Sequence, residues 1–267
     1  MEQLTALGTG YAVATKCYTT CFTISDGQEH FMIDTGGGNG VLTNLEKAGI
    51  AVNQVHHIFL SHRHTDHILG AVWMLRMVGH GMEKGSYQGQ LHLYCHQEIA
   101  DGLLQMCRFM LPGRLLSLFG QRIIFHCLAD GLSFDILGRK TTFFDTHSKK
   151  TLQYGVKLEL QNGKTFTYLG DEHYREQCAP YACGVDYLMH EAMCLESQED
   201  QYHPHKIQHS TVKDAAQCAA ALQVKNLILH HTEDACLSQR KQAYTAEAQQ
   251  YFNGGIYVPD DLDVVGL

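Results

Sequence analysis

The heptapeptide Ser-His-Arg-His-Thr-Asp-His at residues 61–67 constrains this chain more than any other feature. It follows directly on an apolar run, Val55-His56-His57-Ile58-Phe59-Leu60, whose β-branched and aromatic content predicts a buried strand. In an extended segment residues two apart point to the same side, so His62 and His64 can approach one metal ion together. Asp66 and His67 follow where the chain must turn, and can face a second ion from a different direction. Imidazole nitrogen and carboxylate oxygen are ligands that suit zinc, with manganese or iron as further candidates. Three histidines and an aspartate within six residues at a strand end point to metal binding rather than to a solvated loop.

The rest of the chain bounds what surrounds that cluster. With 267 residues, 45% of them hydrophobic, the chain can bury a large core, and residues 1–267 are read as one hydrolase domain. No run is long and apolar enough to span a bilayer. The start, MEQLTALGTGYA, has no basic segment leading into an apolar one, so the expected compartment is the cytoplasm. A formal charge of −8 argues against gripping long nucleic acid by charge alone, although bound metal ions would add local positive charge. The 10 cysteines form no C-x-x-C pair and read as reduced thiols packed inside.

Strand-like and helical stretches alternate. HFMIDTGGG predicts a short strand broken at a glycine-rich turn, and residues 41–50 have helical spacing ending near Gly49. Helical spacing recurs from Ile68 to about Val78, a strand is expected over 90–96, and a largely helical segment broken at Pro112-Gly113 follows. RIIFHCL, LSFDIL, TTFFDTH, QYGVKLEL, KTFTYLGD and VDYLMHEA read as strands, then TVKDAAQCAAALQVK as a helix and NLILHH as a last strand. Strands grouped in each half with helices between them predict an α/β layered architecture. Leu103–Phe119, rich in Leu, Met and Phe, is expected to be a packed helix pair rather than a lid or dimer face. Arg108, Arg114 and Arg122 there read as solvated surface residues, as do His173, His203 and His205.

His62-x-His64-x-Asp66-His67 resembles the H-x-H-x-D-H signature of the metallo-β-lactamase superfamily, and Asp34-Thr35-Gly36 matches that superfamily's upstream Asp-x-Gly turn. The resemblance runs from Leu7 to about Thr232 and implies a four-layer αβ/βα sandwich, two mixed sheets flanked by helices, with the metal site at one edge of both. It implies two divalent metal ions, zinc first among the candidates. His62, His64 and His147 would hold one, Asp66, His67 and His231 the other, with Asp171 bridging. In LILHH the family's L-x-L-T-H pattern selects His231 as ligand, with His230 in the threonine position, which leaves the two histidines in competition.

His190-Glu191-Ala192, His209-Ser210-Thr211 and the opening ALGTG resemble the HEAT and HST loops and the start of ribonuclease Z, a branch of phosphodiesterases. The resemblance implies a metal-activated hydroxide attacking a small or cyclic phosphodiester or an RNA end. Asp66 would orient the nucleophile, His209 would protonate the leaving oxygen, and His190 or Glu191 would hold His209 or a substrate oxygen. That family carries a tRNA-gripping arm between the positions matching His147 and Asp171. Only 23 residues (171 − 147 − 1) lie between them here, which argues against whole tRNA as substrate. The same resemblance implies a homodimer. The competing activity is hydrolysis of an ester, thioester or lactone on the same scaffold.

Overall fold

A computed structural model describes residues 2–267. The first half of the chain supplies six strands: β1 (Gln3–Gly8), β2 (Cys21–Ser25), β3 (His30–Ile33), β4 (Val55–Phe59), β5 (Leu91–Cys95) and β6 (Ile123–Cys127). The second half supplies β7 (Ser133–Ile136), β8 (Arg139–Asp145), β9 (Tyr154–Glu159), β10 (Thr165–Tyr168), β11 (Tyr187–Glu191), β12 (Asn226–His230) and β13 (Gly255–Tyr257), and β14 (Val264–Gly266) closes the chain. Two seven-stranded sheets result, in the orders β14-β1-β2-β3-β4-β5-β6 and β13-β12-β11-β10-β9-β8-β7. Both are mixed. β3 to β6 run parallel in the first sheet, and β10 to β13 run parallel in the second.

Alternation along each strand sends side chains to two faces, and three apolar layers form. Phe22, Phe31, Phe59, Phe143, Phe166 and Tyr168 fill the space between the sheets. Met32, Ile58, Leu93 and their neighbours pack beneath helices Gly40–Lys47, Thr65–Lys84 and Gln97–Met110. Leu188, Leu227 and Leu229 pack beneath helices Val212–Ala221 and Leu237–Ala248. Helix, sheet, sheet, helix is the expected αβ/βα sandwich. No described helix is long and apolar enough to cross a membrane.

Most expected elements form within a few residues of their predicted ends. Three findings differ. NLILHH, expected as the last strand, is followed by the three-residue strands β13 and β14, too short to leave an alternating apolar pattern. Helix Leu237–Ala248 has no sequence counterpart, because its buried residues are Arg240, Tyr244 and Ala248 rather than an apolar stripe. Cys127, Cys183 and Cys236 are exposed, so the expectation of ten interior thiols holds only for Cys21, Cys95, Cys107, Cys178 and Cys194, with Cys17 and Cys218 half-buried. The segment after Leu103 packs as expected: Leu103, Cys107, Leu111 and Leu115 are buried, while Phe109 points outward.

Candidate metal centre

The cluster assembles at the ends of the parallel strands of both sheets. After β4 the chain stays extended as far as His64, which caps the N-terminus of helix Thr65–Lys84. His62 Nε2 lies 2.9 Å from His64 Nδ1, as the spacing of two predicts. Asp66 and His67 sit in the first helical turn, where the helix carries partial positive charge that favours a carboxylate.

The second sheet brings the remaining ligands. Asp171 follows β10 and His231 follows β12. Asp171 Oδ1 is 3.5 Å from His62 Nε2, while its Oδ2 is 3.5 Å from both His67 Nε2 and His231 Nε2. Asp66 Oδ2 lies 3.2 Å from His67 Nε2 and 3.4 Å from His231 Nε2. Two sets of metal-ligating atoms therefore converge, Asp66, His67, Asp171 and His231 in one and His62, His64 and Asp171 in the other. Asp171 belongs to both. His230, by contrast, stays in β12 with both ring nitrogens buried and without partners, against the Tyr168 ring. Of the two histidines, His231 is the one whose ring nitrogen joins a converging set.

His147 departs from expectation. It is exposed, its backbone is left-handed (φ 56°), and its N–H donates to Asp145 Oδ1 at 2.7 Å, so its ring joins neither set. The side chain that reaches His62 from this part of the chain is Gln153, whose Nε2 is 3.1 Å from His62 Nδ1 and also bonds Asp171. A one-dimensional motif cannot fix the direction of a turn, which here is set by Ser148 and Glu172 (Oγ to Oε1, 2.5 Å).

The centre's electrostatics suit a cation. Burial opposes ionisation of Asp171, yet His62 and His67 beside it hold its carboxyl well below the usual range. Burial likewise opposes a charge on His67, but Asp66 and Asp34 outweigh it and push the imidazole pKa up. His67 Nε2 is buried without a hydrogen-bond partner. Two buried carboxylates facing imidazole nitrogens are what a divalent cation requires, so these residues fit metal ions.

A second, neighbouring group joins Glu191, His209 and His231. Glu191 ends β11 and accepts from the Ser210 N–H at 2.5 Å, and its Oε2 lies 3.7 Å from His209 Nδ1. Burial, with the His231 ring and Lys150 nearby, lowers His209 to about 3. His190 does not share this role. One residue back along the strand, its Nδ1 bonds the Glu191 carbonyl at 2.6 Å and burial lowers it to about 4. His173 is half-buried rather than on the surface, with Nδ1 2.7 Å from Ser210 Oγ, whereas His203 and His205 are exposed as expected.

Sequence reasoning missed the carboxylate that holds His67. Asp34 bonds His67 Nδ1, the Ser61 N–H and hydroxyl, and the Tyr168 hydroxyl. Its Asp-Thr-Gly turn was visible, but the contact with His67 spans 33 residues. Gln153 and Lys150 gave no signal at all.

Residues 30–232 match the family described as beta-lactamase superfamily domain. Ribonuclease Z of Nocardia farcinica is 25% identical, with 100% of this chain and 98% of that protein covered. Among solved structures, the metallo-beta-lactamase fold protein YhfI from Bacillus subtilis superposes with a TM-score of 0.78 at 17% identity, covering 99% of this chain and 98% of that one. The short form of human tRNase Z superposes with a TM-score of 0.76 at 18% identity, covering 99% and 98%. At these identities the two structural likenesses are likenesses of fold.

Proposed function

The chain belongs to the beta-lactamase superfamily, and from that premise we propose that it is a dinuclear metal-dependent phosphodiesterase that cleaves a small or cyclic phosphodiester or a short RNA end. The observation that carries this reading is Asp171, whose two carboxylate oxygens face different ligand sets, Oδ1 toward His62 and Oδ2 toward His67 and His231. His62, His64 and Asp171 would hold one ion, and Asp66, His67, Asp171 and His231 the other. Zinc fits the nitrogen-rich donor set best. Divalent ions bound there lower the pKa of water toward neutrality and offset the charge of a phosphodiester.

The chain's own groups do the rest. Asp66, buried and ionised beside His67 and His231, orients the attacking water. His209 delivers the proton to the leaving oxygen. Burial keeps it neutral when no substrate is present, and a phosphoryl anion entering beside it favours the imidazolium. Burial also pushes the Glu191 carboxyl well above its usual range, so Glu191 becomes the counter-charge behind Nδ1 as that imidazolium forms. In this reading Glu191 supports His209, since the His190 ring turns back to the Glu191 carbonyl.

The similarity to ribonuclease Z supports phosphodiester over acyl substrates. The short β9–β10 hairpin, in which Leu160 and Lys164 close the turn, supports small substrates over whole tRNA. The test is hydrolysis of bis(p-nitrophenyl) phosphate by metal-analysed protein, with zinc and manganese added separately. Turnover that disappears in Asp66→Ala supports the reading. Metal-loaded protein that leaves the phosphodiester intact but opens a lactone or thioester would overturn it.

A further inference from the structure

Beyond the ligands, one cation is held at the edge of the centre by an arrangement that has no evident role in folding. Lys150 Nζ lies 3.1 Å from His209 Nε2. His209 itself stands beside His231, with ring centroids 5.0 Å apart, so the ammonium sits next to a residue of the ligand sets.

The turn that carries Lys150 is fixed with unusual care. Glu172, buried and next in sequence to Asp171, accepts from the Ser148 hydroxyl at 2.5 Å and from the Lys149 and Lys150 N–H groups at 3.1 and 3.3 Å. Ser148 Oγ in turn accepts from the Lys150 and Thr151 N–H groups, both at 3.2 Å. The residue that bridges the ligand sets and the turn that presents Lys150 are thus tied together by adjacent carboxylates.

Among the described residues no carboxylate lies within salt-bridge distance of Lys150, a trait it shares with several exposed lysines, but Lys150 alone of these sits against His209 beside the ligand sets. An ammonium has three donors. Here one reaches a neutral imidazole, and no carboxylate answers the others. A half-buried charge in that condition favours a ligand that brings the missing negative charge.

We propose that Lys150 forms an anion subsite that takes a non-bridging phosphoryl oxygen of the substrate beside His209, with the Ser148–Thr151 turn as its mount. This rests on the phosphodiesterase reading but concerns a residue that is no metal ligand, so it can be tested on binding alone. The measurement is calorimetric titration of inorganic phosphate into metal-loaded wild type, Lys150→Met, Lys150→Arg and, as an exposed neighbour, Lys149→Met, with metal content determined for each. We expect phosphate to bind Lys150→Met about 10-fold or more weakly, given the strength of charge-assisted hydrogen bonds. Lys150→Arg should retain most of the affinity, Lys149→Met should match wild type within about twofold, and metal content should be equal throughout. KM for bis(p-nitrophenyl) phosphate should rise in Lys150→Met by a similar factor.

Wild-type protein that binds no phosphate, or Lys150→Met that binds it as well as wild type, overturns the subsite. The two readings fail separately. Phosphate binding that depends on Lys150 without any phosphodiester turnover sinks the proposed reaction and keeps the subsite. Turnover with phosphate binding indifferent to Lys150 does the reverse.

Discussion

Asp34 Oδ2 accepts a hydrogen bond from His67 Nδ1 at 2.8 Å with both side chains wholly buried, and so aims the opposite ring nitrogen at Asp66 and Asp171. A carboxylate behind a ligating imidazole fixes its tautomer and raises its basicity. Asp34→Asn keeps Oδ1 to accept from the Ser61 N–H but loses the anion and puts an NH2 where Oδ2 accepts from His67, the Ser61 hydroxyl and Tyr168. We expect metal affinity to fall about 10- to 100-fold while the fold persists. Competition with a chromogenic chelator reads this directly, and unchanged affinity would show that the helix alone orients His67.

The helix that bears Asp66 and His67 is seated on the same turn. His67 carbonyl accepts from the Thr35 N–H and hydroxyl, and the Gly70 N–H donates to the Gly36 carbonyl at 2.9 Å. A Cβ on Gly70 would lie 2.0 Å from the Thr35 carbonyl oxygen, which is backbone and cannot yield cheaply. Gly70→Ala should therefore cost roughly 2–3 kcal/mol and lower metal occupancy. Gly79→Ala, on the same helix, would meet the flexible end of Leu115 at 3.0 Å and should be tolerated, since alanine favours helix. Denaturant titration with metal analysis separates the two, and equal behaviour would refute the seating argument.

The pairing of Glu191 with His209 predicts a kinetic defect without a binding one. His209→Ala and Glu191→Gln should each lower kcat on a phosphodiester by about 10²–10⁴ while metal content stays at the wild-type level. Loss of metal from His209→Ala would instead make His209 a ligand, in keeping with its place beside His231. His190→Gln should leave kcat nearly unchanged, because its ring turns back to the Glu191 carbonyl.

Away from the centre, His57 stacks on His92 at 5.2 Å and shares a hydrogen bond with the Tyr94 hydroxyl, while His92 Nδ1 lies 3.0 Å from His126 Nε2. Burial, then the neighbouring His92, His56 and His126, lower His57 from 6.5 to about 4. The unfolded chain thus binds the proton more tightly than the folded one. Its contribution is intact above about pH 6.5 and is lost as the pH falls toward 4, at most about 3 kcal/mol for this group. His57→Gln, which cannot become charged, should lose less stability than wild type between those values. Parallel pH-dependent curves for the two proteins would count against the assignment.

What the sequence revealed follows from what was local. His62, His64, Asp66 and His67 share one strand end and one helical turn, so spacing alone set their directions. Asp171 and His231 each end a strand, and strand ends can be read from apolar runs. His147 could not be placed, because its ring direction depends on a left-handed backbone and on Glu172 some 25 residues away. Asp34, Gln153 and Lys150 act across the gap between elements, a distance the one-dimensional pattern does not carry. Helix Leu237–Ala248 hid for a different reason. Its inner face includes Arg240, whose guanidinium bonds Thr232, Thr9 and the Pro259 carbonyl, so charge stands where a stripe of hydrophobes would be sought.

Each ligand set draws on both sheets: His62, His64, Asp66 and His67 come from the first, Asp171 and His231 from the second. Apolar contacts across the sandwich, such as Phe59 on Phe143 at 4.9 Å and Phe22 on Tyr168 at 5.3 Å, help hold the two at a set spacing. Those aromatic rings act as the shim of a caliper whose jaws are the ligands. Shaving a ring there, as in Phe143→Leu, would reset the gap at the jaws, and the change would register in metal stoichiometry before the sandwich itself came apart.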